Sequence, residues 1–165
     1  MRNHNLFRKV LSSPYLPVIL APFVLLSPVF LTGKAIFWGT PFLQFVPWWH
    51  RAVQLLQQGV FPLWDPLTGM GAPLAANYQS AIFYPPTWLY LIAGWLKGLT
   101  GIAWMQAPLI AAHLAWAGVG MVQLARELKL KPLAQALGGL AFGLSGYLVS
   151  RSGFLSINAA VSWTP

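Results

Sequence analysis

The sequence predicts an all-α fold, namely a polytopic transmembrane helix bundle with about three spans and a long outer loop that carries interfacial helices. The chain of 165 residues is 57% hydrophobic and only 7% charged, whereas about a quarter of the residues in a typical soluble domain are charged. So few charges cannot cover a surface that faces water, which excludes a soluble enzyme. Lys and Arg stand at the ends of long apolar runs, where they anchor membrane helices.

The charge balance leads to the same class of protein. A net charge of +8 could indicate a nucleic-acid partner, but that function needs a clustered basic face, and the ten Lys and Arg are scattered. We therefore expect membrane lipid, and no nucleic acid, as a partner. The absence of cysteine excludes disulfides, thiolate nucleophiles and zinc–thiolate sites.

A run of 24 uncharged residues between Lys9 and Lys34 predicts the first transmembrane helix, within residues 10–37, because about 20 apolar residues cross a bilayer. Pro22 and Pro28 are expected to kink it. A signal peptide is the alternative, but its apolar core should span only about 7–15 residues and end at a small-residue cleavage site. The segment "SPVFLTGKA" is a poor match to such a site.

Two later apolar runs predict the second and third spans, residues 101–125 and 133–151. Gly139 and Gly143 form a GxxxG pair in the third. It indicates either close helix packing or simply the high glycine content of membrane helices. The apolar segment Ile82–Leu96 is shorter, and its two prolines delay any helix, so an interfacial or re-entrant helix is favoured there.

The distribution of basic residues predicts the topology. With three spans, six of the ten basic residues share the side of the N-terminus, and the positive-inside rule places that side in the cytoplasm. Residues 1–9 and the turn 126–132 are then cytoplasmic. Residues 38–100 form the outer loop, and residues 152–165 begin the next outer segment.

The stretch 44–58 has helical periodicity and predicts an amphipathic helix. His50, Arg51 and Gln54 fall on its polar side, and Trp48 and Trp49 on its apolar side. Proline at position 47 suits the first turn, and glycine at position 59 suits the position after the end. Such a helix lies at a membrane surface with its Trp rings at headgroup depth, or packs its apolar side on protein. The sequence leaves both readings open.

The following loop, residues 62–86, predicts fixed turns, because closely spaced prolines and glycines restrict the backbone. Its aromatic rings and short polar side chains suit a sugar or a lipid headgroup. Asp65 is one of only two acids in the chain. It is either a helix N-cap or Asx turn, or a general base or cation ligand, as the only carboxylate of the predicted outer face.

The segment "GVFPLWDPLTGMGAPLAANYQSAIFYPP" resembles the first outer loop of the bacterial YfhO family of membrane proteins, and residues 30–165 share that resemblance. The motif reads approximately G-x-x-P-L-W-N-P, G-x-P, N-x-Q and Y-P. It matches at Gly59, Pro62, Leu63, Trp64, Pro66, Gly71, Pro73, Asn77, Gln79, Tyr84 and Pro85.

The resemblance implies a multi-pass glycosyltransferase of the GT-C type in the bacterial plasma membrane. Such an enzyme transfers a sugar from a polyprenyl-phosphate donor to a cell-envelope acceptor on the outer face, with an acid as base or as ligand of a divalent cation. Asp65 is then the candidate catalytic residue. The candidate substrate-binding residues are Gln44, His50, Trp64, Asn77, Gln79 and Tyr84.

Two departures from the family pattern bear on this hypothesis. The usual acid after the first span is missing, since Thr40 and Gln44 stand there, and Asp65 replaces the usual Asn of W-N-P. The family is also several times longer, so the chain is expected to be an N-terminal fragment. A non-enzymatic transporter or envelope-assembly subunit is the alternative function. A transporter would more often have ionisable or broken-helix sites near mid-membrane, and only His113 fits that description.

Overall fold

The computed structural model describes residues 13–36 and 39–165, and this part of the chain is mostly helical. The all-α class is therefore confirmed. The elements in order are α1 (Tyr15–Leu31), a π-helical turn (Pro41–Phe45), α2 (Val46–Gln57), β1 (Trp64–Asp65), β2 (Ala72–Pro73), α3 (Thr87–Glu127), α4 (Pro132–Gly143), α5 (Gly146–Arg151) and α6 (Leu155–Ser162).

Two helical stretches among the described residues, Thr87–Glu127 and Pro132–Arg151, are long and apolar enough to cross a membrane. They contain the predicted second and third spans. Helix α1 has 17 residues, or about 26 Å at 1.5 Å per residue, which is short of a hydrocarbon core of about 30 Å. The prediction of a first span over 10–37 extends into residues outside the described ranges. That this first helix crosses the membrane, and that the N-terminus lies in the cytoplasm, stay predictions.

Helix α3 is interrupted at Gly98, whose φ of 61° and ψ of −147° are not helical. Only glycine adopts such a conformation without strain. The segment before it begins at Thr87, after a turn in which the Thr87 N–H donates to the Tyr84 carbonyl at 2.9 Å. The sequence predicted a short helix here that the prolines delay, and the structure confirms this.

The predicted third span, 133–151, is wrong in one respect, because it is not one continuous helix. Helix α4 ends at Gly143, and α5 begins at Gly146. Between them Ser145 is not helical, with ψ at 144°, and its Oγ accepts a hydrogen bond from the Leu148 N–H at 3.5 Å. Serine is a preferred N-cap, so the helix restarts at this point.

By its internal contacts the chain divides into two compact units. Among the described residues, the first contains 13–27, 110–152 and 157–165. Its helices α3 and α4 approach closely at glycines. A Cβ added to Gly139 would lie 2.6 Å from Val122 Cγ2 and 2.9 Å from the Gly118 carbonyl oxygen, and one added to Gly143 would lie 2.8 Å from the Leu114 carbonyl oxygen. The close-packing interpretation of the GxxxG pair is thus confirmed.

The second unit contains residues 28–36, 39–109 and 153–156, and its core forms around Trp49. This side chain is 1% exposed, its ring stacks on Tyr90 with centroids 4.2 Å apart, and its Nε1 donates to the Ser80 carbonyl at 2.9 Å. The predicted amphipathic helix is confirmed as α2, and its apolar side packs on protein at Trp49. Trp49 is therefore covered by protein, and the position of α2 at a membrane surface stays a prediction. The other buried core residues are Phe45, Val46, Ala52, Val53, Leu55, Leu74, Ala75, Ile82, Tyr90, Leu91, Ile102, Leu109 and Leu155.

The loop after α2 is held in fixed turns, as predicted. Strands β1 and β2 pair antiparallel, with Trp64 opposite Pro73. The Trp64 ring covers Gly71, where a Cβ would come within 2.8 Å of the indole and where φ is +106°. A residue with a side chain is therefore excluded at position 71 both by space and by backbone conformation.

Candidate functional site

A cleft of about 560 Å³ lies beside helix α2 in the second unit. The π-helical turn, helix α2, the hairpin of β1 and β2, and the residue after Gly98 all contribute to its wall. The cleft is lined by Leu43, Gln44, Pro47, Trp48, His50, Arg51, Gln54, Asp65, Leu67, Thr68 and Leu99. Three of the predicted site residues, Gln44, His50 and Asp65, therefore share one cavity.

The polar face of α2 supplies the basic side of the cleft. Residues four apart on a helix are neighbours, which places Gln54 beside His50. Arg51 Nη1 donates to Gln54 Oε1 at 3.3 Å, and Gln54 Nε2 lies 3.2 Å from His50 Nε2. Gln54 can donate to His50 in the tautomer that leaves this ring nitrogen unprotonated. The amide thus connects the guanidinium to the imidazole.

Asp65 enters the cleft from the hairpin and is 4% exposed. Its Oδ1 accepts a hydrogen bond from the Leu67 N–H at 3.0 Å, and its Oδ2 accepts one from the Thr68 hydroxyl at 2.6 Å. These bonds form an Asx turn. The turn interpretation of Asp65 is confirmed, whereas the helix N-cap alternative is wrong, because residues 66–70 form turns and no helix.

Arg51 and Asp65 form an ion pair across the cleft, with Arg51 Nε 3.6 Å from Asp65 Oδ1. That distance is too long for a hydrogen bond. The pair compensates a carboxylate that would otherwise be buried without an opposite charge, a costly arrangement. Arg51 is thus a site residue that the sequence did not single out beyond its place on the polar face.

Two buried nitrogen atoms beside the cleft, His50 Nδ1 and Arg51 Nε, have no hydrogen-bond partner within the described part of the chain. Buried polar groups are normally paired. Leu43, Pro47 and Leu99 supply apolar surface in the same cavity. The cleft therefore combines unused hydrogen-bonding capacity on a basic face with an apolar wall, a combination that suits an anionic amphiphile.

The remaining predicted site residues do not line this cleft. Trp64 covers Gly71. Asn77 Oδ1 accepts a hydrogen bond from the Gln79 N–H at 3.0 Å, and Gln79 Nε2 donates to the neighbouring tyrosine hydroxyl at 3.3 Å. Tyr84 packs, partly buried, against the core. These four residues shape the loop, and any contact with a ligand stays a prediction for them.

The divalent cation implied by the family resemblance does not fit the cleft. Within residues 13–36 and 39–165, no three His, Asp or Glu side chains gather closely enough to hold a metal ion. Asp65 is the one carboxylate of the cleft, and its neighbour is a guanidinium. Hard divalent cations prefer several oxygen ligands, which the residues of the cleft do not supply.

Comparison of the chain with family models, with curated proteins and with solved structures found no match in any of the three.

Proposed function

We propose that this chain belongs to a multi-pass bacterial plasma-membrane glycosyltransferase of the GT-C type, which transfers a sugar from a polyprenyl-phosphate donor to a cell-envelope acceptor on the outer face. The observation that carries the proposal is the cleft beside α2. It joins Arg51 and Asp65 to an apolar wall, and the described part of the chain has two helices long and apolar enough to span a membrane. The loop motif that resembles the YfhO family supplies further support.

In this proposal Asp65 is the general base. Its carboxylate accepts the proton of the acceptor hydroxyl while the acceptor oxygen forms a bond to the anomeric carbon. The bond between that carbon and the phosphate oxygen breaks, and polyprenyl phosphate leaves with the electron pair. A carboxylate offers about four lone-pair positions, and the turn uses two of them, so acceptor capacity remains for the proton.

The test is Asp65→Asn in the full-length protein, reconstituted in lipid vesicles with a polyprenyl-phosphate sugar. Asn keeps an acceptor oxygen for the turn, so the variant should fold normally. Loss of a general base typically costs 10²–10⁴-fold in rate, and we expect sugar transfer to fall by about two orders of magnitude or more. Transfer within about threefold of wild type would remove Asp65 from the chemistry.

One observation favours a second function. Both carboxylate oxygens of Asp65 accept hydrogen bonds in its own turn, as expected of a residue that only shapes the loop. The chain would then be a non-enzymatic subunit for transport or envelope assembly. Preserved ligand binding, with no sugar transfer by the wild-type protein, would support this function.

A further inference from the structure

The ion pair between Arg51 and Asp65 leaves most N–H donors of the guanidinium without an acceptor among the described residues. Among the described residues, its hydrogen bonds comprise the one from Nη1 to Gln54, although a guanidinium has five N–H donors. The Nε atom has no hydrogen-bond partner in the part of the chain that the structure describes, and its distance of 3.6 Å from Asp65 Oδ1 marks a charge contact. Arg51 therefore has donors left for a second anion.

The two partners differ in their access to the cleft. The Arg51 side chain is 20% exposed and the Asp65 side chain is 6% exposed. The guanidinium is therefore the more accessible of the two charged groups. Asp65 also has its turn hydrogen bonds to hold it in place. Arg51 is thus the partner that can turn toward a ligand.

The chemistry of the cleft indicates which anion fits. A phosphate group offers several oxygens to the planar fork of a guanidinium and accepts two parallel hydrogen bonds from it. His50 Nδ1, which has no hydrogen-bond partner among the described residues, is a second group beside the same cavity. A volume of about 560 Å³ is far larger than one phosphate, and the walls at Leu43, Trp48 and Leu99 suit an alkyl or isoprenoid chain.

We propose, on the basis of the proposed function, that Arg51 is the phosphate-recognising residue of the cleft and that Asp65 is its internal counter-ion. The ligand is a phosphate ester of an apolar alcohol. On binding, its phosphate replaces Asp65 at the guanidinium, and the carboxylate loses its charge partner. Ligand binding then unmasks Asp65 as a base, which links the occupied donor site to the reacting carboxylate.

The replacement of Asp65 by phosphate at the Arg51 guanidinium has a consequence for the Asp65→Asn variant. Asp65 competes with the ligand for Arg51, so removing the charge of Asp65 should strengthen phosphate binding. A carboxylate that contacts the ligand productively, or that only holds the loop, would give weaker or unchanged binding on the same substitution. The direction of the change therefore separates the proposal from both alternatives.

The experiment measures the affinity of the full chain, in phosphatidylcholine nanodiscs, for farnesyl phosphate, farnesol and inorganic phosphate by thermophoresis. We expect wild type to bind farnesyl phosphate at least tenfold more tightly than either of the others. Asp65→Asn should raise the affinity for farnesyl phosphate about threefold or more. The double variant, Arg51→Gln with Asp65→Asn, should lower the affinity for farnesyl phosphate at least tenfold. Its second substitution ensures that the loss of Arg51 does not leave a buried carboxylate without a charge partner. Glu127→Gln, at an exposed residue outside the cleft, removes one negative charge as Asp65→Asn does; it is the charge-matched control, and its affinity should stay within about twofold of wild type.

Unchanged or weaker binding of farnesyl phosphate by Asp65→Asn would overturn the replacement of Asp65 by phosphate, and wild-type affinity in the double variant would overturn the role of Arg51. Equal affinity for farnesol would show that the tail alone binds, and equal affinity for inorganic phosphate would assign the site to free phosphate. None of these readouts needs sugar transfer. Failed transfer with the expected binding pattern would therefore reject only the transferase, and normal transfer without phosphate preference would reject only this inference.

Discussion

Helices α3 and α4 meet so closely at Gly139 that a single methyl group there should weaken the fold. The Cβ of Gly139→Ala would lie 2.6 Å from Val122 Cγ2 and 2.9 Å from the Gly118 carbonyl oxygen. Ordinary carbon contacts are about 3.5–4.0 Å, so one helix must move. Overpacking of this kind costs about 1–3 kcal/mol.

The adjacent residue provides the matched control. A Cβ at Gly138 would meet its nearest neighbour, the Met121 methyl group, at 3.9 Å, which is normal contact. Both substitutions replace a helical glycine by alanine, a change that favours a helix by about 0.5–1 kcal/mol. That gain cancels in the comparison, so the difference between the two variants isolates the helix contact. We expect Gly139→Ala to be less stable than Gly138→Ala by about 1–3 kcal/mol.

The assay is reversible unfolding in mixed micelles at increasing mole fraction of dodecyl sulfate, followed by circular dichroism. The Gly139→Ala midpoint should fall below that of wild type, and the Gly138→Ala midpoint should equal or exceed it. Coincident transitions of the two variants would refute the close contact between α3 and α4.

Two further predictions concern the fold and the topology. Trp49→Phe keeps an aromatic ring but loses the pyrrole part of the indole and its N–H donor to the Ser80 carbonyl, so it should lower the free energy of unfolding by about 1–3 kcal/mol. Trp88→Phe, which removes a similar bond from a side chain that is 39% exposed, should have a smaller effect, and the reverse order would contradict the buried position of Trp49. Lys129→Cys in this cysteine-free chain should resist an impermeant thiol reagent applied to intact cells, because the distribution of basic residues places the 126–132 turn in the cytoplasm, and labelling from outside would reject that topology.

Local patterns in the sequence predicted much of the second unit. Helix α2 follows from its periodicity, with Pro47 in its first turn, and the turns of the loop follow from its proline and glycine content. The burial of Trp49 could not be predicted, because an amphipathic pattern identifies the apolar side of a helix without saying whether lipid or protein covers it. The break at Ser145 has a local signal that was missed, a good N-cap followed by glycine inside an apolar run.

The candidate site was predictable only in part. Gln44, His50 and Asp65 were singled out as separate residues, and their common cleft depends on how the hairpin folds back on α2. The partnership of Arg51 with Asp65 depends on that same long-range contact. Periodicity places Arg51 on the polar face of its helix but does not identify the loop that meets this face, so the ion pair had no signal in the sequence.

The stack of Trp49 on Tyr90 has a consequence for how the loop between them can vary. This contact joins α2 to the start of α3, and it turns residues 58–86 into a closed loop. The entropy of closing such a loop grows slowly, by about 0.6 kcal/mol for each doubling of its length. The hairpin tip, where Met70 is fully exposed, can therefore be lengthened or replaced while the aromatic stack keeps the two helices together. The stack fixes the ends of the loop and leaves its tip free to diverge, so the residues of the loop at the cleft can change their chemistry with little loss of stability.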